Sequence, residues 1–175
     1  MNLRPATRAD FSAALALNEQ SVQFLSPLSA RRLAELHAAS ALHCVAEQDG
    51  RVIAFLLAFR EGADYDSVNY AWFAQRYPRF LYIDRVVVAL DSRAHGTGSA
   101  LYAHAFKHAA QAGVPILACE FDLEPANPVS ERFHAKFGFR EVGRQWVAGG
   151  RKRVSLQTAE LEPGPEARAR RPRQA

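Results

Sequence analysis

The sequence predicts an α/β (α+β) domain built on a mixed central sheet of about seven strands with about four helices. Three observations predict it. Strand-like and helix-like segments follow one another in the order β-α-α-β-β-β-α-β-α-β-β. The apolar runs 79–89 and 115–123 are joined by a stretch with helical spacing, and such a crossover makes its two strands parallel. Short turns join the runs near both ends of the chain, which makes antiparallel hairpins there. A chain of 175 residues buries enough surface for one such domain without a metal or disulfide staple. The domain is expected to span 1–161.

Each element has a local reason. Leu3–Thr7 is a short strand candidate, and Thr7 or Asp10 caps a helix whose body is Phe11–Asn18. Ser26-Pro27-Leu28-Ser29 breaks that helix, and Ser29 caps a second one over Ala30–Ala39 with Leu33 and Leu36 on one face. Ala41–Glu47 and Val52–Phe59 flank a turn and form a hairpin. Residues 60–78 mix polar and aromatic groups and read as a loop; loops this long in compact domains are often functional. Arg79–Ala89 ends in a continuous apolar run, so it is expected to be central and buried on both faces. The helix 97–112 stops at Gly113, with Pro115 just beyond. A strand over 115–123 follows, then a short helix over 128–137 with Pro128 in its first turn. Phe139–Val147 and Arg151–Glu160 close the domain as a hairpin.

Composition excludes several classes. Hydrophobic residues make up 49% and charged residues 23%, which suits a globular chain and not a disordered one. No apolar run approaches the roughly 18 residues of a membrane span, and Met1–Asp10 has no apolar signal core, so the expected location is cytoplasmic, with no membrane partner. Cys44 and Cys119 lie in apolar strand-like runs and are expected to be buried and reduced; no ligand cluster accompanies them, so no metal is expected. The net charge is +4, and the tail 162–175, with four arginines and two glutamates, carries half of it. That Arg/Pro-rich tail is expected to be disordered. The body is then only mildly basic, and no specific nucleic-acid partner is expected.

The segment Arg93-Ala94-His95-Gly96-Thr97-Gly98-Ser99 joins the most strand-like run of the chain to a helix. Two glycines and an arginine at such a corner fit a tight turn, and they also fit an anion socket. A helix N-terminus presents unpaired N–H groups and a partial positive charge. Glycine lets the backbone come close to a ligand. Arg93 offers a forked donor, and the amides of His95 to Ser99 can converge on a pyrophosphate. The corner is not a P-loop, because the required Lys is missing. It is not a dinucleotide fingerprint either, because Gly98 is followed by Ser99-Ala100-Leu101 and the site lies mid-chain.

Arg93-x-x-Gly96-x-Gly98 after Val86-Val87-Val88 resembles the acyl-CoA pyrophosphate loop of the GNAT superfamily of N-acetyltransferases. Downstream, Phe121–Asn127, the helix after it and Gly138-Phe139 are similar to the family's strand–Asn–helix–Gly-Phe segment. Two motifs in order and at the right spacing are far more specific than either alone. The likeness covers residues 3–160 in element order and 80–143 in motif detail. Ala94 stands where many members have Gly, and Leu90 replaces a common Pro. The resemblance implies the GNAT fold with its middle strands splayed, a single acetyltransferase domain, and acetyl-CoA as co-substrate without a metal. By the resemblance, Val86, Val87 and Val88 line the pantetheine arm. Arg93, His95, Gly96, Thr97, Gly98 and Ser99 hold the pyrophosphate. Asn127 bonds the pantetheine from the other wall, with Ser130 and Phe133 nearby.

The implied reaction is direct transfer of acetyl from the thioester to an amine. The amine must be neutral, so a base or water chain removes its proton. The oxyanion needs a donor, such as a backbone N–H near Val87. Asp84, just before the valine run, is the leading candidate base or proton relay, and Glu120 on the neighbouring strand is the second. A carboxylate on a buried strand is unusual unless paired. Adjacent strand residues face opposite ways, so Arg85 is expected to be a poor partner for Asp84. His134 stands seven residues after Asn127, where many relatives carry a Tyr that protonates the leaving thiolate. It reads equally as that acid or as a half-buried polar helix residue. Tyr82, Tyr102, His104 and His108 read as packing or surface groups.

The acceptor pocket is expected from the first helix and its following loop (Asn18, Phe24) and from the 60–78 segment (Tyr65, Trp72, with Glu61, Asp64 and Asp66). Acidic and aromatic groups together suit a cationic amine, and a small-molecule amine is expected over a protein N-terminus. A homodimer is a fair expectation for such enzymes. The alternative function is a catalytically idle acyl-CoA-binding sensor, which keeps the CoA loop and blocks the acceptor side. A third reading is transfer to oxygen or of a longer acyl chain.

Overall fold

The computed structural model describes residues 1–22, 25–93 and 95–161. Phe24, Ala94 and the tail 162–175 lie outside them. Seven strands form one sheet: β1 (Asn2–Pro5), β2 (Leu42–Gln48), β3 (Arg51–Arg60), β4 (Leu81–Val88), β5 (Ile116–Glu124), β6 (Arg140–Val147) and β7 (Lys152–Glu160), in the order β1-β2-β3-β4-β5-β7-β6. Every neighbouring pair is antiparallel except β4 and β5. That parallel pair is the one joined by a helical crossover, α4 (Thr97–Gln111), as the sequence predicts.

The helices cover both faces. α4 buries Leu101, Ala105 and Ala109, one turn apart, against Leu56, Leu81, Ile83, Leu117 and Cys119. α5 (Pro128–Lys136) lies on this back face and adds Phe133. On the front face, α1 (Phe11–Glu19) and α2 (Ala30–Ala39) bury Leu17 and Leu33 against Val45, Phe55 and Val87. Truncating a buried leucine such as Leu101 to Ala removes about 2–5 kcal/mol of stability. Both cysteines are buried and free.

Capping explains the front helices. Ser29 Oγ accepts from the Arg32 amide at the start of α2. Before α1, a 3₁₀ turn over Arg8–Asp10 intervenes, and the Thr7 amide and hydroxyl both donate to Asp10 Oδ2. The segment 60–78, expected to be a loop, holds a fifth helix, α3 (Val68–Ala74), with Ser67 Oγ accepting from the Tyr70 amide. It is only seven residues long, so no apolar periodicity announces it. It buries Tyr70 and Phe73 against Phe59, Phe80 and Tyr82.

Two irregularities of β4 create the site. Leu57 pairs with Arg85 and Ala58 with Ile83, so Asp84 is an extra residue, a bulge. The parallel ladder to β5 consists of Leu81↔Leu117 and Tyr82↔Ala118 alone. Beyond Tyr82 the two strands part. Residues 81–83 are buried, and from Asp84 onward half-buried positions alternate with buried ones, so burial on both faces ends where the strands separate.

Candidate active site

The bulge decides how Asp84 is held. In a regular strand Asp84 and Arg85 would face opposite ways, which is why Arg85 was expected to be a poor partner. The inserted residue turns both side chains to the front face, and Arg85 Nε donates to Asp84 Oδ2 at 2.6 Å. Arg85 Nη1 also donates to Asn18 Oδ1 of α1 at 2.9 Å, and Asn18 Nδ2 donates to the Ser26 carbonyl. The Tyr65 hydroxyl donates to Asp84 Oδ1. Burial first, then the Asp84 anion, push the Tyr65 hydroxyl far above its ordinary range, so it stays a donor. Asp84 is therefore one member of a buried, fully partnered ion pair.

Glu120 sits across the opening on β5, and among the described residues its hydrogen-bond donors are neutral. The Tyr82 hydroxyl lies 2.9 and 2.7 Å from its two oxygens, and Asn69 Nδ2 donates to Oε1 at 2.8 Å. Gln145 Nε2 of β6 donates in turn to Asn69 Oδ1. Burial lifts the Glu120 carboxyl to about 8; the nearby Asp84 charge adds to the rise, and the Tyr82 and Asn69 hydrogen bonds oppose it. Five carboxylates on the surrounding elements have cations: Arg60 for Glu61, Arg32 for Asp66, Lys152 for Asp122, Arg153 for Glu124 and Arg144 for Glu141.

On the back wall of the opening, Val88, Phe133 and Gly98 converge. A Cβ at Gly98 would lie 3.5 Å from the Phe133 ring and 3.8 Å from Val88. Val86 is half-buried beside them, whereas Val87 faces the front core. Gly96 has φ +83° and starts α4 from the left-handed region, which a side chain would strain. Among the described residues, no acceptor meets the amides of His95, Gly96, Thr97, Gly98 or Ser99. Arg93 Nε donates to the Val88 carbonyl at 3.2 Å and Nη2 to Ser21 Oγ at 3.4 Å, which ties the corner to the end of β4. Lys136 Nζ lies 3.5 Å from Ser99 Oγ and brings a cation to the corner. Asn127 Oδ1 accepts from the Ser130 amide and caps α5.

His134 is buried with both ring nitrogens occupied. Nδ1 lies 2.7 Å from the Ser130 carbonyl, so it carries the proton; Nε2 then accepts from the Tyr102 hydroxyl at 2.7 Å. Burial pushes its pKa down, so it stays neutral. Trp72 packs against Gly143 of β6 and under the Arg76 guanidinium, which lies 4.0 Å from its ring. Of the acceptor set, Tyr65 and Asn18 reach the Asp84 cluster, Trp72 does not, and Phe24 is not described.

Several groups at the site escaped the sequence reading: Arg85, Tyr82, Asn69, Gln145 and Lys136. Tyr82 carried a usable signal, since it stands two residues before Asp84. Asn69 and Gln145 carried none; folding brings them together from helix α3 and strand β6. Among the described residues, no group of three or more His, Cys, Asp or Glu could hold a metal, and no helix is long and apolar enough to cross a membrane.

A mixed sheet parted between its two parallel strands, with a helix N-terminus at the mouth of the gap, defines an α/β fold of the N-acetyltransferase type. The chain matches the model of the acetyltransferase (GNAT) family over residues 10–139 and belongs to that family. It is an acetyltransferase by that membership. No curated protein matches it. Solved structures share its fold. The ribosomal-protein-S18-alanine N-acetyltransferase from Escherichia coli superposes with a TM-score of 0.69 at 17% identity, covering 91% of this chain and 92% of that one. The ribosomal-protein-alanine N-acetyltransferase from Brucella melitensis gives 0.71 at 20% identity, over 92% and 100%. The yncA protein of Salmonella typhimurium, solved with its cofactor acetyl-CoA, gives 0.70 at 18% identity, over 93% and 94%.

Proposed function

We propose that this acetyltransferase moves an acetyl group directly from acetyl-CoA to a primary amine of a small molecule, with Glu120 as the general base. One observation carries the reading: the β4–β5 ladder stops after two pairs, and the gap it leaves runs from an unpartnered amide corner to a half-buried carboxyl with no cation. The amides of His95 to Ser99, with Lys136 and the remaining Arg93 N–H groups, hold the pyrophosphate. Val86, Val88 and Phe133 line the arm, and Asn127 Nδ2 faces it from α5.

The sequence favoured Asp84 as base; the geometry supports Glu120 instead. Asp84 already has Arg85 as its counter-ion on one oxygen and the Tyr65 hydroxyl on the other, so its carboxylate is occupied. An acceptor ammonium would be the cation that Glu120 lacks. Glu120 accepts one proton from it, the neutral nitrogen forms its bond to the acetyl carbon, and the C–S bond breaks; the departing thiolate takes the second nitrogen proton and leaves as the thiol. The positive Arg85 and the Tyr65 hydroxyl keep Asp84 fixed at the edge of this space. His134, neutral and bound to Tyr102, anchors α5 to α4 instead of supplying a proton. The Arg32–Asp66 bridge joins α2 to the segment before α3, whose Tyr65 reaches Asp84 at the opening; an aromatic group near the Glu120 carboxyl, which lacks a cation among the described residues, favours a small cationic amine.

The test is kcat/KM against pH over a panel of amines and of alanine-starting peptides. For the wild type it should rise through an inflection near pH 8, the pKa of Glu120, and level above it. Glu120→Gln should lose about 100-fold or more in kcat with acetyl-CoA affinity retained. Asp84→Asn should keep the inflection and move it downward, because it removes an anion that raises the Glu120 pKa. If the inflection disappears in Asp84→Asn and survives in Glu120→Gln, the base is Asp84. If the peptides turn over and the small amines do not, the acceptor is a protein.

A further inference from the structure

Asn69 is buried in the first turn of α3, and Gln145 lies on β6, far from it in sequence. Their amides form a chain with one direction. Gln145 Nε2 donates to Asn69 Oδ1, which obliges Asn69 to present its Nδ2 to Glu120 Oε1, at 2.8 Å. Tyr82 supplies the other donor, from β4. We infer that Asn69 and Gln145 are positioning residues for Glu120, which hold its carboxylate in one orientation and lower its affinity for the proton. This rests on the assignment of Glu120 as base.

The other groups facing Glu120 act differently. Asp84 of β4 and Asp122 two residues along β5 are anions that raise its pKa, each with its own cation, Arg85 and Lys152. Tyr65, from the segment before α3, spends its proton on Asp84. Among the described residues only Tyr82 and Asn69 donate to the carboxylate, and of the two it is Asn69 whose orientation is dictated by another element. Glycine at 143 lets Trp72 of α3 close against β6, so the same contact that docks the helix brings Gln145 to Asn69.

The experiment follows the Glu120 carboxyl directly, by carbon-13 NMR titration of the ligand-free protein labelled at glutamate, with Glu120→Gln to assign the signal. Asn69→Ala should move the Glu120 midpoint upward by about one pH unit, since it removes one hydrogen bond to the charged form. Gln145→Glu should also move it upward, because a carboxylate at 145 cannot donate to Asn69 Oδ1 and turns the Asn69 amide around. Gln145→Leu, which lies at the surface end of the chain, keeps the test alive if Asn69→Ala does not fold. The kcat/KM profile should shift by the same amount, with acetyl-CoA affinity unchanged. A Glu120 midpoint unmoved in all three variants overturns the inference. Midpoints that move while the kinetic profile stays still uphold the positioning role and overturn Glu120 as the base.

Discussion

At the scale of single residues, Glu120 links function to stability. An exposed glutamate titrates near 4.5, and burial holds this one near 8. Between those two values the unfolded chain gives up the proton and the folded chain keeps it. The raised group therefore stabilises the fold fully below about pH 4.5, and that contribution is lost as pH rises through 8. Glu120→Gln, neutral at every pH, should remove this slope. Urea denaturation at pH 9 should show the variant more stable than the wild type by roughly 2 kcal/mol, a value discounted for the carboxyl's partial contact with solvent. A protein made more stable and less active by one substitution is the signature of a strained functional group. Both carboxylates were legible in the sequence as acids on central strands. The pairing that leads us to propose Glu120 over Asp84 was not, because it depends on Arg85 sharing a face with Asp84, and nothing in Ile83-Asp84-Arg85-Val86 announces a bulge.

At the scale of elements, the corner and α3 contrast. The corner was legible because a left-handed residue before a helix needs glycine, and the sequence places Gly96 there. α3 was hidden because its stability comes from packing Tyr70 and Phe73 on the sheet, not from an amphipathic repeat. Its docking on β6 is testable. A Cβ at position 143 would stand 2.6 Å from Trp72 Cζ2, and the indole is held between Phe73 and Arg76. Gly143→Ala should destabilise the protein by about 1–3 kcal/mol through this overlap. Trp72→Ala in the same chain should recover part of the loss, which chemical denaturation of the single and double variants measures.

At the scale of the whole molecule, the hairpins and the crossover were legible because hairpin turns and the parallel β-α-β unit follow general rules, whereas the insertion of β7 between β5 and β6 was not. The length of the β4–β5 ladder was not, since strand-forming residues continue on both sides of the point where pairing stops; only the family resemblance implied it. The sheet is thus two smaller sheets, β1–β4 and β5–β7, sharing two rungs and otherwise held together through α4 and the side-chain layers on each face. Such a joint can flex about its closed end. A co-substrate lying in the cleft would brace the halves like a keystone. Amide hydrogen exchange over Ile83–Val88 should therefore slow on adding acetyl-CoA by a larger factor than anywhere in β2, which is paired on both sides. The enzyme's rigidity would then be a property of the loaded complex, and its free form the looser of the two at the one place where chemistry has to happen.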